Sequence, residues 1–351
     1  MTDAADFLDS ETERESFPGA AALIASPQLI LEAAHSGNAA IEPETLPVSP
    51  ETLWDLASLT KPLCCGALAR VAARGGLSLD LTPGFFFPAW KKTRYDGITL
   101  RTLLMHTSGL AAWYPLYARG EGADAYRKTL AEMEPQTEPG SAVIYSDLNF
   151  LLLGDILEAH FSAPLDRTFA ELVAGPAGSG ACFLPGERRA TAATEKGDVT
   201  ERRMTAALGL SYVRFRTEVV WGQVHDGNAY RRGGVAGNAG LFGSARAVWA
   251  LARMWLEDFA EEFCSDATPL LPEARGLSWQ GRRGAGSSIP AMSPRSFGHT
   301  GFTGTSLWMD PDAGRIAILL TNRVHPTVKQ VDFNEVRRRF HRTVWSEAHV
   351  E

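Results

Sequence analysis

The spacing of apolar residues changes period several times along this chain, and each change marks an element. Residues 3–16 read as a helix that Phe17-Pro18-Gly19 stops. Ala20 to Ala25 and Leu29 to Ala34 are short apolar runs around Ser26-Pro27-Gln28, the pattern of a β-hairpin. A proline-rich loop, Pro43 to Pro50, leads to a stretch where Leu63, Ala67, Leu68 and Val71 recur at helical spacing. Pro62 fits only the first turn of a helix, which places the start near Ser58, and Gly75-Gly76 ends it.

Helical patterns dominate the next segment. Leu100 to His106 is broken by Thr107-Ser108-Gly109, Ala123 to Met133 reads as a helix, and Glu138-Pro139-Gly140 is a turn. Asp147 to Phe161 is strongly apolar and helical. A Gly/Pro-rich region from Gly175 to Gly186 follows, and Ala190 to Leu208 is polar with no clear period. Strand-like pieces return from Gly209, with a glycine-rich loop at Gly233 to Gly243 and a helix over Ser244 to Phe259 that Ser244 caps. Gly281 to Ser288 reads as a flexible connector. Arg295 to His299, Thr305 to Met309 and Arg315 to Thr321 are strands, Asp310 to Gly314 a turn, and Phe333 to Val344 a closing helix. The expected fold class is α+β: an antiparallel sheet from both chain ends, flanked by helices. Residues 1–80 and 209–351 would form that sheet subdomain and 81–208 a mostly helical one, with a ligand cleft at their junction.

Composition narrows the function classes. The 351 residues are 45% apolar and 21% charged, as in ordinary globular proteins, and the net charge of −7 argues against nucleic acid as a partner. The Arg337-Arg338-Arg339 run reads as the solvated face of the last helix. No apolar stretch reaches membrane-spanning length, so no membrane partner is expected. The acidic first residues, Asp3, Asp6, Asp9, Glu11, Glu13 and Glu15, are unlike a secretory leader, so a cytoplasmic location is expected. Cys64, Cys65, Cys182 and Cys264 match neither a disulfide framework nor a zinc site and read as reduced thiols. The sequence does not indicate the oligomeric state.

Three segments carry candidate chemistry. Ser58-Leu59-Thr60-Lys61 is the one Ser-x-x-Lys in the chain. Residues three apart share a helix face, so the Lys61 amine would lie beside the Ser58 hydroxyl. A serine needs a neighbouring base to become a nucleophile, and a desolvated lysine loses its proton more readily. The structural alternative is a helix-capping serine followed by a solvated lysine. Tyr145-Ser146-Asp147 lies between a turn and a long helix, where the Tyr145 phenol could act as general acid or base and Asp147 could bond Lys61 or substrate. The alternative there is a surface turn with an Asp cap. His299-Thr300-Gly301 ends a strand, and an edge strand there could offer the Phe302 N–H, with that of Ser58, to an oxyanion. His299 and Thr300 could hold a substrate carboxylate, and Trp113-Tyr114 could form a pocket wall, with a core or surface aromatic pair as the alternative. His225-Asp226 reads as part of a hydrogen-bonded loop at the cleft mouth, with a metal-ligand pair as the alternative. The Gly233 to Gly243 loop lacks the Gly-Lys-Ser/Thr of a phosphate cradle, and neither Gly-x-Ser-x-Gly nor His-Glu-x-x-His occurs.

In this order, the three segments resemble the penicillin-recognising serine hydrolases, in particular the class C β-lactamase-like branch with its Ser-x-x-Lys, Tyr-x-Asn and Lys/His-Thr/Ser-Gly. Leu103 to Leu110, Glu138 to Gly154, Gly233 to Phe242 and Gly298 to Pro311 also look like family segments, so the likeness runs from Phe17 on. It implies the β-lactamase/transpeptidase-like fold, no cofactor, no metal, and a small-molecule or peptide substrate. It also implies acyl transfer through Ser58, with Lys61 and Tyr145 sharing the proton work and the Ser58 and Phe302 N–H groups as the oxyanion hole. Asp147, His299, Thr300 and Gly301 would then bind substrate. Two departures stand out: Asp147 where Asn is usual and His299 where Lys is usual in true β-lactamases. Both lower the expectation of β-lactam hydrolysis. They are familiar in esterases, D-amino-acid peptidases and muropeptide amidases, and the wording of Tyr145 to Phe150, Val224 to Ala229 and Gly298 to Ser306 is similar to a group linked with cell-wall fragment recycling. A true β-lactamase, a D-Ala-D-Ala carboxypeptidase and a non-catalytic sensor of cell-wall fragments are the alternatives.

Overall fold

The computed structural model describes residues 3–91, 93 and 97–345. Its main sheet takes β1 (Gly19–Ala25), β2 (Ile30–Ala40) and β3 (Leu46–Pro47) from the start of the chain. Three short strands, β4 (Trp54–Asp55), β5 (Cys182–Phe183) and β6 (Leu241–Gly243), form a second sheet in the order β4-β6-β5. The main sheet is completed by β7 (Gln280–Gly281), β8 (Phe297–Thr300), β9 (Ser306–Asp310) and β10 (Arg315–Thr321). Its order is β3-β2-β1-β10-β9-β8-β7, and every neighbour is antiparallel. The two chain ends therefore meet at the sheet centre, where Leu23 of β1 stands opposite Ile318 of β10.

Alternation along the central strands fills both faces. Ala21, Leu23, Ile316, Ile318 and Leu320 join a large core with Val248, Leu251 and Trp255 of the 245–257 helix. Ala20, Ala22, Ile24, Ala317 and Leu319 pack with Phe7 and Leu8 of the 4–13 helix and Val336 and Phe340 of the 333–344 helix. Each of the Leu, Ile, Val and Phe side chains among them contributes roughly 1.5–3 kcal/mol when fully buried. The 147–161 helix is apolar all round, and every residue from Leu148 to Leu157 is buried, as such a pattern requires. It runs through the interior and delivers its N-terminus to the cleft.

Several expectations shift. The helix after Ser58 begins as a 3₁₀ turn, Ala57–Leu59, and continues as a widened π-type turn, Lys61–Gly66, before becoming regular over Ala67–Arg74. Pro62 has no N–H to give to a regular ladder. The polar 190–208 stretch contains a helix, Val199–Ala207, whose buried residues are Glu201 and Thr205, so it has no apolar stripe to read. The strand-like pieces after Gly209 are not strands: Tyr212 and Phe215 cluster with Tyr117, and the next strand is β6, inside the predicted glycine loop. The expected connector at 281–288 starts in β7 and is pinned where Trp308 Nε1 donates to Ser287 Oγ, 3.1 Å. Among the described residues all four cysteines are free, and no helix is long and apolar enough to cross a membrane.

Candidate active site

The turn that carries Ser58 is shaped by its neighbours. Ala57 has φ of +47°, a left-handed conformation that costs a non-glycine residue energy and needs support. Buried Asp55 supplies it, accepting from Ala57 N (2.8 Å) through Oδ1 and from His225 N (2.7 Å) through Oδ2. The strand end is stitched to the same turn: Thr303 Oγ1 donates to Asp55 O and Thr305 Oγ1 to Leu56 O. Gly301 makes the approach possible, since a Cβ there would stand 2.0 Å from Thr305 Oγ1 and 2.7 Å from Leu56 O.

Lys61 points back along the helix face at Ser58, with Nζ 2.8 Å from Oγ, as the three-residue spacing predicts. Its side chain is 0% exposed. The ammonium also donates to Asn238 O (3.1 Å) and lies 2.6 Å from Asp147 Oδ1. The glycine loop reaches it because Gly237 abuts the 147–161 helix, where a Cβ would meet Phe150 O at 2.0 Å. Burial alone would push the Lys61 pKa down, but the Asp147 carboxylate, with Tyr145, outweighs it and holds the pKa above the ordinary lysine value. The expectation of a lysine that readily loses its proton therefore fails, and Asp147 is the reason.

Tyr145 and Asp147 are positioned by the Leu103 to Leu110 segment. Ile144 N donates to His106 O, Ser146 N to His106 Nδ1, and Ser108 Oγ to Asn149 Oδ1. Ser146, not Asp147, caps the long helix. The Tyr145 ring centroid lies 5.1 Å from Lys61 Nζ and 5.7 Å from that of His299. His299 Nδ1 pairs with Thr300 O (2.9 Å), and Nε2 is buried without a partner. Burial, with Lys61 and Arg275 nearby, keeps the His299 pKa well below the usual histidine value, so the ring is neutral. Residues 299–300 lie beyond the two-residue pairing with β7, so the edge expected for the whole strand exists only at this end. The 301–304 turn bonds, Gly301 N to Thr305 O and Gly304 N to Gly301 O, leave the Phe302 N–H out of their pattern.

Ser58, Trp113, Tyr145, Asp147, His299, Thr300, Gly301 and Phe302 thus line one cleft of about 420 Å³. The same cleft holds residues the sequence reading missed. Arg337, read there as solvated, is 6% exposed; its Nη2 donates to Gly301 O (2.7 Å) and Thr305 O (3.1 Å), and its Nη1 to Asn334 Oδ1. Arg323 Nε donates to Phe302 O, and Arg275 sits over the Tyr145 ring at 5.4 Å. A signal existed for Arg337: it lies four residues after Phe333 and three before Phe340, inside the apolar stripe of its helix. His225 is tied to Glu195 (3.2 Å) and stacks on Phe302, while Asp226 caps the 227–231 helix, which is the hydrogen-bonded loop reading. Among the described residues no group of three or more His, Cys, Asp or Glu could hold a metal ion.

The β-lactamase family model matches residues 4–339. A Salmonella paratyphi B protein, provisionally named a D-alanyl-D-alanine carboxypeptidase, is 32% identical over 81% of this chain and 72% of its own length. In fold, the chain is similar to EstCE1, described as a hydrolase with promiscuous acyltransferase activity (TM-score 0.73, 20% identity, 97% of each chain). It is similar also to a penicillin-binding protein homologue from Caulobacter crescentus (TM-score 0.72, 19% identity, 98% of this chain and 96% of that one). By sequence match and by fold, this chain belongs to the β-lactamase family of serine hydrolases.

Proposed function

We propose that Ser58 is the nucleophile of an acyl-transfer hydrolase acting on amides or esters that carry an anionic group, such as cell-wall peptide fragments or small carboxylic esters. The observation that carries this reading is the 2.8 Å contact between Lys61 Nζ and the half-buried Ser58 Oγ in a cleft shared with Tyr145. Ser58 Oγ bonds to the substrate carbonyl carbon while its proton passes to Tyr145. The tetrahedral oxyanion rests on the Ser58 and Phe302 N–H groups. The bond to the leaving group then breaks, and that group takes the proton through Tyr145 and Lys61. Water, deprotonated by the same pair, attacks the acyl carbon and releases Ser58 with its proton restored. Because Asp147 holds Lys61 charged, the ammonium's part is to stabilise the Tyr145 phenolate, the form that takes the Ser58 proton and becomes the neutral phenol.

Arg337, Arg323, Thr300 and Asn334 would receive the anionic group. A carboxypeptidase-like or esterase-like substrate is in keeping with the names of the relatives. Asp147 and the neutral His299 weigh against efficient β-lactam hydrolysis. The test is a hydrolysis panel of nitrocefin, p-nitrophenyl esters, D-Ala-D-Ala peptides and muramoyl peptides, combined with fluorophosphonate labelling read by intact-protein mass spectrometry. A single adduct at Ser58 and a loss of turnover of at least about 1,000-fold in Ser58→Ala are expected. Binding of muropeptide without turnover and without an adduct would instead make the protein a sensor.

A further inference from the structure

Beyond the anion-binding arginines, the cleft has a second, oppositely charged wall. Glu201 and Asp226 both line it, on the 199–207 helix and at the start of the 227–231 helix. Their backbone and side-chain partners are all hydrogen-bond donors of the protein scaffold: Gly227 N (2.9 Å) and the Tyr117 hydroxyl (2.6 Å) for Glu201, and Ala229 N (2.7 Å) for Asp226. Among the described residues neither carboxylate has a Lys or Arg within ion-pair distance. Three nearby basic side chains pair with other carboxylates: Lys61 with Asp147, His225 with Glu195, and Arg216 with Asp198.

A third acceptor completes the wall. Asn238 is 1% exposed and lines the same cleft. Its side chain lies close enough to influence the Asp226 carboxylate, and among the described residues neither its Oδ1 nor its Nδ2 has a hydrogen-bond partner. A buried acceptor without a donor costs stability unless something in the cleft supplies one.

Resting on the serine hydrolase reading above, we propose that Asp226, Glu201 and Asn238 Oδ1 form a seat for a protonated amine, so that the substrate is an amino acid or peptide derivative with a free amino group. Two carboxylates and an amide oxygen match the three N–H bonds of an ammonium. The arginines supply the complementary pole, so the cleft fits a zwitterion better than a neutral acyl compound. In the empty cleft, burial first and then the neighbouring Asp226 charge push the Glu201 pKa up to about 7, and burial with Asp147 raises that of Asp226. An incoming ammonium would supply the opposite charge that this pair of carboxyl groups lacks.

The test compares the p-nitroanilides of alanine, of either hand, with their N-acetyl counterparts, in the wild type and in Asp226→Asn. Asparagine still caps the 227–231 helix, so the loop keeps its start. The wild type should favour the free amine by at least about tenfold in kcat/KM, and Asp226→Asn should lose most of that ratio. A fall in both substrates by the same factor would mark Asp226 as structural and overturn the proposal. Equal rates, or a preference for the N-acetyl form, would overturn the amine seat while leaving the serine hydrolase reading intact. So would a Ser58 adduct with fluorophosphonate alongside no turnover of any anilide. Absence of both turnover and adduct would remove the two together.

Discussion

Lys61 and Arg337 are buried cations in one cleft, and the protein treats them in opposite ways. Lys61 has a carboxylate at 2.6 Å, a hydroxyl at 2.8 Å and a carbonyl at 3.1 Å. Among the described residues Arg337 has two carbonyls and an amide oxygen, no carboxylate, and a buried Nε without a partner. The pKa shifts follow: Lys61 is held above its ordinary value, whereas burial and neighbouring Arg323 push Arg337 down to about 9. Both remain charged at neutral pH. The difference is that the Lys61 charge is compensated by a carboxylate of the protein, in keeping with the part proposed for it beside Ser58. The Arg337 charge is left over, and an anionic ligand would complete it.

Substitutions can break this contrast, the largest effect first. Asp147→Ala strands a buried ammonium, and unfolding in denaturant should show a loss of about 3 kcal/mol, the low end for a buried pair because Asp147 is partly exposed. A loss under about 1 kcal/mol would mean that Lys61 does not need its carboxylate. Asp55→Asn should follow at about 2 kcal/mol, since an amide cannot accept from both the Ala57 and His225 N–H groups. Asp55 is not a cleft-lining residue, so kcat should fall about tenfold with little change in KM. Arg337→Ala should raise KM about tenfold for a substrate with a carboxylate relative to a neutral ester. An equal rise for both would make Arg337 only a brace for Gly301 and Thr305.

The smallest effect concerns the third possible cation. Lys61 and Arg275 help to keep His299 neutral, so its folded pKa lies well below that of the unfolded chain. Below about pH 6.5 the unfolded state binds this proton and the folded state does not, so stability falls as the pH falls. Per unit of pH the loss approaches about 1.4 kcal/mol, and above pH 7 it vanishes. Acid unfolding curves of His299→Gln should be flatter in this window than those of the wild type.

What could be read in advance was local. Ser58 and Lys61 are three residues apart, and helical geometry alone brings them together. The 147–161 helix announces its burial through unbroken apolar composition. The strand pattern of 315–321 and the hairpin at its partner strand are equally direct. Arg337 was hidden because three consecutive arginines look like a solvated face. In the fold, Arg339 reaches Glu11 and Arg338 reaches Glu335, while Arg337 turns inward. Glu201 was hidden because a helix whose inward residues are polar carries no hydrophobic period. The sign of the Lys61 shift was hidden for another reason. Burial is legible in a sequence, and so is Asp147 as a partner of either Lys61 or substrate, but the 2.6 Å approach that decides between them is set by the fold.

The most direct test of the clamped ammonium is the rate of Ser58 acylation by fluorophosphonate, followed against pH in the wild type and in Asp147→Asn. Removing the carboxylate lets the Lys61 and Tyr145 pair release its proton more easily, so the rising limb of the Asp147→Asn profile should move to lower pH by about one unit or more. Profiles that superimpose, or a limb displaced to higher pH, would contradict the claim that Asp147 sets the charge beside the nucleophile.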